Sequence, residues 1–246
     1  MGSAGEGCEN SKPTTDVSDE DAMRTLAKGL EPALSQERLA YWSGIAGGDL
    51  GRALILHQRN TVVAGALFGD LQALEIALRN AMDRALQHVI GPDWLNDPRF
   101  LLAEAWRFAA QASGRLGMAT VPRDKVIIQI PFKFWVDVFE RRDVAITPTK
   151  VFRHGAYRKA QLMSDLRSLV RLRNDAMHHE PVIDRDGKRR PEDLNDDLDK
   201  IYRLLDALSP AAADWARQNS LSHRLLAAGV ANCDDYSEFE VVIIIP

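Results

Sequence analysis

The stretch Arg171-Leu-Arg173-Asn174-Asp175-Ala-Met-His178-His179-Glu180-Pro181 places two arginines, an amide and two imidazoles close together in the chain. Imidazole exchanges protons near neutral pH, and a guanidinium grips a phosphate through paired N–H donors. An RNA strand carries its own nucleophile, the ribose 2′-hydroxyl. Cleaving it takes a base for that hydroxyl, an acid for the leaving 5′-oxygen and a cation for the charge that builds on phosphorus. Arginine, amide and histidine supply that set without a metal.

A helix from about Tyr157 to His179 is predicted to carry these groups. Leu162, Leu166, Leu169, Val170, Ala176 and Met177 repeat at the three-and-four spacing of one buried face, and Arg173 falls on the same stripe. A guanidinium turned toward a core needs a carboxylate, a phosphate or a partner subunit to receive it. Glu75 is the obvious carboxylate for a structural ion pair; Arg79-Asn80, one turn beyond it, repeats the Arg-Asn pair and is either a supporting shell or, through Arg79, only an intrahelical ion pair with Glu75. Asn174 and His178 share the neighbouring polar face with Arg171 and Arg167. Pro181 disfavours helix at Glu180, so both histidines fall in or just past the last turn. There, a pair of C-terminal helix caps is the structural alternative to proton transfer. The adjacent His-His-Glu is a poor metal site on a helix, because neighbouring side chains point about 100° apart. No metal or other cofactor is expected. Arg173 and His178, five apart, lie about 140° around an ideal helix, so one copy does not aim both at one phosphate; two copies can.

The 246 residues suffice for a full core, and a composition of 46% hydrophobic and 27% charged residues suits a helical protein. Cys8 and Cys233 stand far apart in opposite tails, outside any metal-ligand spacing, which fits a reducing cytoplasm. The N-terminus lacks the pattern of an export signal, and the late apolar run Val241 to Ile245 is too short to span a bilayer, so no membrane partner is expected. The net charge of −4 hides an asymmetry: residues 1 to 22 carry −5 and residues 234 to 240 carry −4, which leaves +5 for the body between. From Arg141 to Arg173 nine Lys or Arg, Arg158 and Lys159 among them, face only Asp143 and Asp165. Such a segment can hold RNA phosphates, or it can be a solvated helix face.

Residues 1 to 17 read as a disordered acidic leader. Helices are predicted from about Asp19 to Gly29, Ser35 to Ile45, Leu50 to His57, Thr61 to Ile90 (the central spine) and Arg99 to Arg115. Val126 to Ile130 reads as a short extended run. Pro131 opens a further helix through Phe139, and others follow from Pro191 to Leu208 and Pro210 to Arg217, with turn chemistry at Asp184 to Gly187. One helical domain is expected over 18–228, with an acidic and then apolar tail over 229–246. The five tryptophans fall within apolar patterns and are expected in the core, and His57, His88, His154 and His223 at the surface or at caps. The fold class is an all-α bundle.

Arg173-Asn174-Asp-Ala-Met-His178 resembles the motif of HEPN domains, an arginine and a histidine with four residues between. Its extension Leu-Arg-Asn-x-x-x-His-His-Glu-Pro resembles the Abi-like (abortive infection) branch. Leu74-Glu75-Ile-Ala-Leu-Arg79-Asn80-Ala with Gly91-Pro-Asp-Trp94-Leu is similar to that family's first block, Ile130-Pro-Phe-Lys-Phe-Trp135 to its middle block and Ser209-Pro-Ala-Ala-Ala-Asp-Trp215 to its closing helix. The likeness spans about 37–227, with Lys133 where the family usually has glycine. It implies a HEPN-type bundle and a homodimeric, metal-independent endoribonuclease with motif helices facing across a two-fold axis. Arg173 would clamp the phosphate, His178 would act as acid or base with His179 as the fallback, and Asn174 would orient the scissile group. Products would be a 2′,3′-cyclic phosphate and a 5′-hydroxyl. The resemblance further implies a toxin of phage defence, and leaves open an antitoxin of protein or RNA. The alternative is a non-catalytic module that binds RNA or nucleotides or simply dimerises.

Overall fold

The computed structural model describes residues 17–112, 121–155, 157–183 and 191–232. The expected leader up to residue 16, the turn at Asp184 to Gly187 and the tail from residue 233, with Cys8 and Cys233, lie outside them. The protein is all-α: eleven α-helices and three short 3-10 turns, with no strand among the described residues. The chain forms two compact units, 17–59 and 60–232 among these residues.

In the first unit, α1 (Val17–Leu34) outruns the helix expected to stop at Gly29, and it packs on α2 (Gln36–Ile45). Ser35 caps α2, its hydroxyl accepting the Arg38 N–H at 3.3 Å. The long α3 (Leu50–Val89) contributes its first ten residues here. Asp49 caps it by accepting the N–H groups of Gly51 and Arg52 at 2.8 and 3.1 Å.

Two helices were expected where α3 runs unbroken. The break expected between them, Gln58-Arg59-Asn60, holds no proline or glycine, and Arg59 and Asn60 are buried at 1% and 5% exposure. Tertiary partners for these polar groups outweigh the local signal for a loop. Among the described residues α3 is the one helix long and apolar enough to cross a bilayer, but it buries Asp70 in a hydrogen-bonded cluster within the protein.

The second unit continues with 3-10 turns at Trp94–Asn96 and Pro98–Phe100, then α4 (Ala103–Ala112), α5 (Arg123–Ile127), α6 (Phe132–Asp137), a 3-10 turn at Val138–Glu140, and α7 (Pro148–Val151). It closes with α8 (Lys159–Met177), α9 (Pro191–Leu208), α10 (Pro210–Asn219) and α11 (Ser222–Ala227). The helix expected from Arg99 begins only at Ala103, because Leu101 turns left-handed at φ 49°. The expected extended run Val126 to Ile130 is α5 and the turn after it. Val126, Ile127 and Ile130 are buried while Ile128 is exposed, which is helical spacing rather than alternation. Trp42, Trp94 and Trp135 are core residues as expected, but Trp106 is half-buried and Trp215 is 65% exposed. On α10 it is Ala213 and Ala216 that face inward. Trp94, Phe100, Phe134 and Trp135 form an aromatic cluster with ring centroids 5.1 to 6.4 Å apart. α9 packs against α8, α10 and α11, and α6 against α8.

Candidate functional site

The motif helix α8 buries Leu162, Met163, Asp165, Leu166, Leu169, Val170 and Leu172. Beyond Leu172 it emerges from the core. Arg173, Asn174, Asp175 and Ala176 are half-buried, and Met177 is 42% exposed. The expectation that Arg173 and Met177 lie on the buried stripe is therefore corrected: the apolar spacing continues for one turn past the point where other helices cover it. Arg173 nevertheless has the partner the sequence named. Its Nε donates to Glu75 Oε2 on α3 at 3.3 Å, with side-chain exposures of 26% and 17%. Glu75 turns to Arg173 rather than to Arg79, its neighbour one turn along α3, and Asn80 beside Arg79 is exposed.

The main chain closes α8 by itself. The His178 N–H reaches the Asn174 carbonyl at 2.8 Å, that of His179 the Ala176 carbonyl at 3.4 Å, and that of Glu180 the Asp175 carbonyl at 2.8 Å. His179 takes the left-handed conformation at φ 59°, so the pattern is a Schellman ending with histidine where glycine is commonest. Both histidines are exposed. Backbone N–H groups already answer the terminal carbonyls, so capping requires neither imidazole. Past Pro181 the chain dives inward: Val182 and Ile183 are buried, and Asn60 on α3 accepts their N–H groups on Oδ1 at 2.7 and 3.2 Å. Asn60 escapes a sequence reading, because it falls in the break expected between the two helices.

The other cations named from the sequence do not converge on this end. Arg171 is exposed, and Arg167 is exposed and ion-paired with Glu140. Arg158 and Lys159 are exposed at the opposite end of α8, about 27 Å along the axis from Met177. Only an extended ligand laid along the whole helix would meet both ends.

A second collection of arginine and histidine lines a cavity of about 760 Å³ among the 154–157 segment, α9, α10 and α11. Here Arg203 Nη2 is 2.9 Å from the buried Asp165, and Arg217 pairs with Asp206 and Asp214. Tyr202 stacks on His223 at 5.1 Å and donates its hydroxyl to the buried Asp70 at 2.6 Å. Burial first, and that hydrogen bond second, push the Tyr202 hydroxyl well above the usual phenol range. Asp70 also accepts from Ser220 at 3.1 Å and Ser222 at 2.5 Å. His154 and His223 line this cavity, which the sequence did not single out.

Among the described residues no group of three or more His, Cys, Asp and Glu is arranged to hold a metal ion. No protein-family model, curated protein or solved structure matches the chain.

Proposed function

We propose that this chain is a metal-independent endoribonuclease of the HEPN type, resembling the Abi-like branch, and that it works as a homodimer. The observation that carries the reading is the main-chain closure of α8. It leaves the exposed imidazole of His178 without a structural task, five residues from an arginine that Glu75 already orients. Arg173 gives Glu75 only its Nε, so both Nη nitrogens are available to a phosphate. Asn174, half-buried between them, orients the scissile group. The imidazole takes the 2′-hydroxyl proton or delivers one to the 5′-oxygen, and the guanidinium meets the charge gathering on the phosphorane oxygens. The products are a 2′,3′-cyclic phosphate and a 5′-hydroxyl.

The α8 end is an open surface, which favours a site completed by a second copy. The two helices joined by the Arg173–Glu75 pair expose apolar groups, Met177 on α8 and Ile76 and Phe68 on α3. Thr61, Gly65, Gly69, Ala73 and Ala77 recur every fourth residue on α3, and a Cβ added at Gly65 or Gly69 would meet nothing within 4 Å. A stable dimer there buries on the order of 1,000 Å² or more. A toxin role in phage defence belongs to the same proposal and rests on the sequence resemblance, which leaves an antitoxin open; a cytoplasmic location is proposed from the placement of Cys8 and Cys233.

Purified protein incubated with total RNA in EDTA is expected to yield 2′,3′-cyclic phosphate and 5′-hydroxyl ends. His178→Ala is expected to cut the rate about 10²- to 10⁴-fold with folding intact. Intact RNA with wild-type protein, or full activity of the variant, contradicts the reading. The non-catalytic alternative, an RNA-binding module, keeps the need for Arg173 but not for His178. RNA retention by wild type without cleavage, lost in Arg173→Ala alone, identifies it.

A further inference from the structure

The end of α8 is set by a residue that does not belong to it. Asn60, buried on α3, accepts the N–H groups of Val182 and Ile183 on Oδ1 at 2.7 and 3.2 Å and donates from Nδ2 to the Glu180 carbonyl at 3.4 Å. One side chain thus satisfies three main-chain groups in the segment that follows His178 and His179. Glu75, which holds Arg173, lies fifteen residues further along the same helix, about 22 Å away at 1.5 Å per residue. The two contacts come in opposite order along the chain, so the stretch from Arg173 to Ile183 runs antiparallel to α3 and is pinned at both ends.

We propose that Asn60 is a positioning residue for the imidazoles of His178 and His179, a role that rests on reading the α8 end as catalytic. His179 occupies the left-handed region, which a residue with a Cβ keeps only where its surroundings dictate it. The Schellman bonds act from the helix side. Asn60 acts from the other side, one to four residues downstream of His179, so the two histidines sit on a bridge with fixed abutments. Without the clamp, the N–H groups of Val182 and Ile183 lose their acceptor inside the protein, and the left-handed residue is free to relax. The imidazoles then spread over many positions, while Arg173 stays on Glu75. Proton transfer needs hydrogen-bond distance at the moment of reaction, and a misplacement of about 1 Å costs on the order of 10²-fold. The loss therefore falls on kcat, and KM follows the undisturbed guanidinium.

The full chain carrying Asn60→Ala or Asn60→Asp tests this by cleavage kinetics and by histidine ring NMR. Asn60→Ala is expected to lower kcat about 10- to 100-fold with KM within about 3-fold, to move the His178 and His179 signals toward those of mobile histidines, and to speed amide exchange at Val182 and Ile183. Asn60→Asp keeps the acceptor for both N–H groups but turns an oxygen toward the Glu180 carbonyl, so its kcat and ring signals fall between those of wild type and Asn60→Ala. A folded Asn60→Ala protein with wild-type kcat and ring signals overturns the proposal. So does an Asn60→Asp protein identical to wild type in both, whether or not Asn60→Ala folds. Should the wild-type chain cleave no RNA, the catalytic reading fails and the ring signals decide the clamp by themselves: unchanged signals overturn it, and mobile ones support it.

Discussion

The α8 end and the cavity beside α9 and α10 draw on the same chemistry, arginines beside two imidazoles, and use it in opposite ways. In the cavity the charges are answered from within. Arg203 reaches the buried Asp165, Arg217 lies between Asp206 and Asp214, and the Tyr202 hydroxyl is committed to Asp70. At the α8 end a single guanidinium nitrogen is committed to Glu75, and the main chain itself supplies the capping that was the histidines' alternative role. The cavity is a lined recess, while the α8 end is open surface that keeps both Nη nitrogens of Arg173 uncommitted. Enclosure and capacity for chemistry are separate properties. A polar group whose hydrogen-bond directions are spent on its own protein stabilises the fold, and one with directions to spare can serve a substrate.

The largest effect that tests this contrast is on cleavage. Arg173→Ala removes the proposed phosphate clamp and is expected to lower the cleavage rate about 10²- to 10³-fold, as loss of a donor to developing charge typically does. The stability cost is small, about 1 kcal/mol or less, because the pair with Glu75 is partly exposed and makes one contact. Arg173→Lys restores only part of the rate, since the ammonium lacks the planar fork. Mixing Arg173→Ala with His178→Ala then shows how the site is shared. If each site takes its arginine and histidine from different subunits, exchange restores one intact site per heterodimer. If each needs all four groups, mixing rescues nothing. The double variant His154→Ala, His223→Ala is the control in the cavity, and its cleavage rate is expected to equal wild type. The reverse pattern, with the cavity variant inactive and Arg173→Ala active, would move the catalytic centre to the cavity.

The legible parts of this molecule were those whose signals are local or periodic. The motif helix, its end near Pro181 and the match of Glu75 to Arg173 all follow from spacing along single helices and from the need to answer a half-buried charge. The illegible parts depend on what covers a segment. Met177 keeps the apolar rhythm of α8, yet it is 42% exposed. The continuity of α3 through Arg59 and Asn60 depends on partners far along the chain, Asn60 bonding to residues 120 to 123 positions away. Val126 to Ile130 is a short apolar run of β-favoured residues, a pattern that strand and helix share until burial shows which members face inward. Trp215 sits outside the core because two small alanines fill the inner face of its helix.

In the cavity the expected effects are on stability alone. Arg203→Ala leaves the Asp165 carboxylate, 3% exposed, with only the Gln161 amide at 2.8 Å. Stranding a buried carboxylate destabilises, and the half-exposed guanidinium moderates the loss to about 1 to 3 kcal/mol, read from urea unfolding. Cleavage should not change. A fall in cleavage at constant stability would show that Arg203 meets the substrate, and the distinction between spent and available donors would not hold for the cavity.

The smallest expected effect comes from the cavity wall. Tyr202→Phe removes one of three hydroxyl donors to Asp70 and keeps the ring under His223, so the loss should be about 1 kcal/mol, with cleavage unaltered. Its pH dependence gives the sharper reading. The folded protein holds the Tyr202 proton more firmly than the unfolded chain does, because burial and the hydrogen bond to Asp70 raise the hydroxyl above its ordinary value of 10.0. That preference stabilises fully while the unfolded tyrosine is protonated, and it changes once the unfolded chain begins to lose the proton. Wild type should therefore lose stability above pH 10 relative to Tyr202→Phe, and the gap between the two should be constant from neutral pH up to about 9. A gap that varies between pH 6 and 8 would mean that the hydroxyl cluster exchanges a proton in the physiological range. The cavity would then share the capacity for proton transfer proposed for the end of α8.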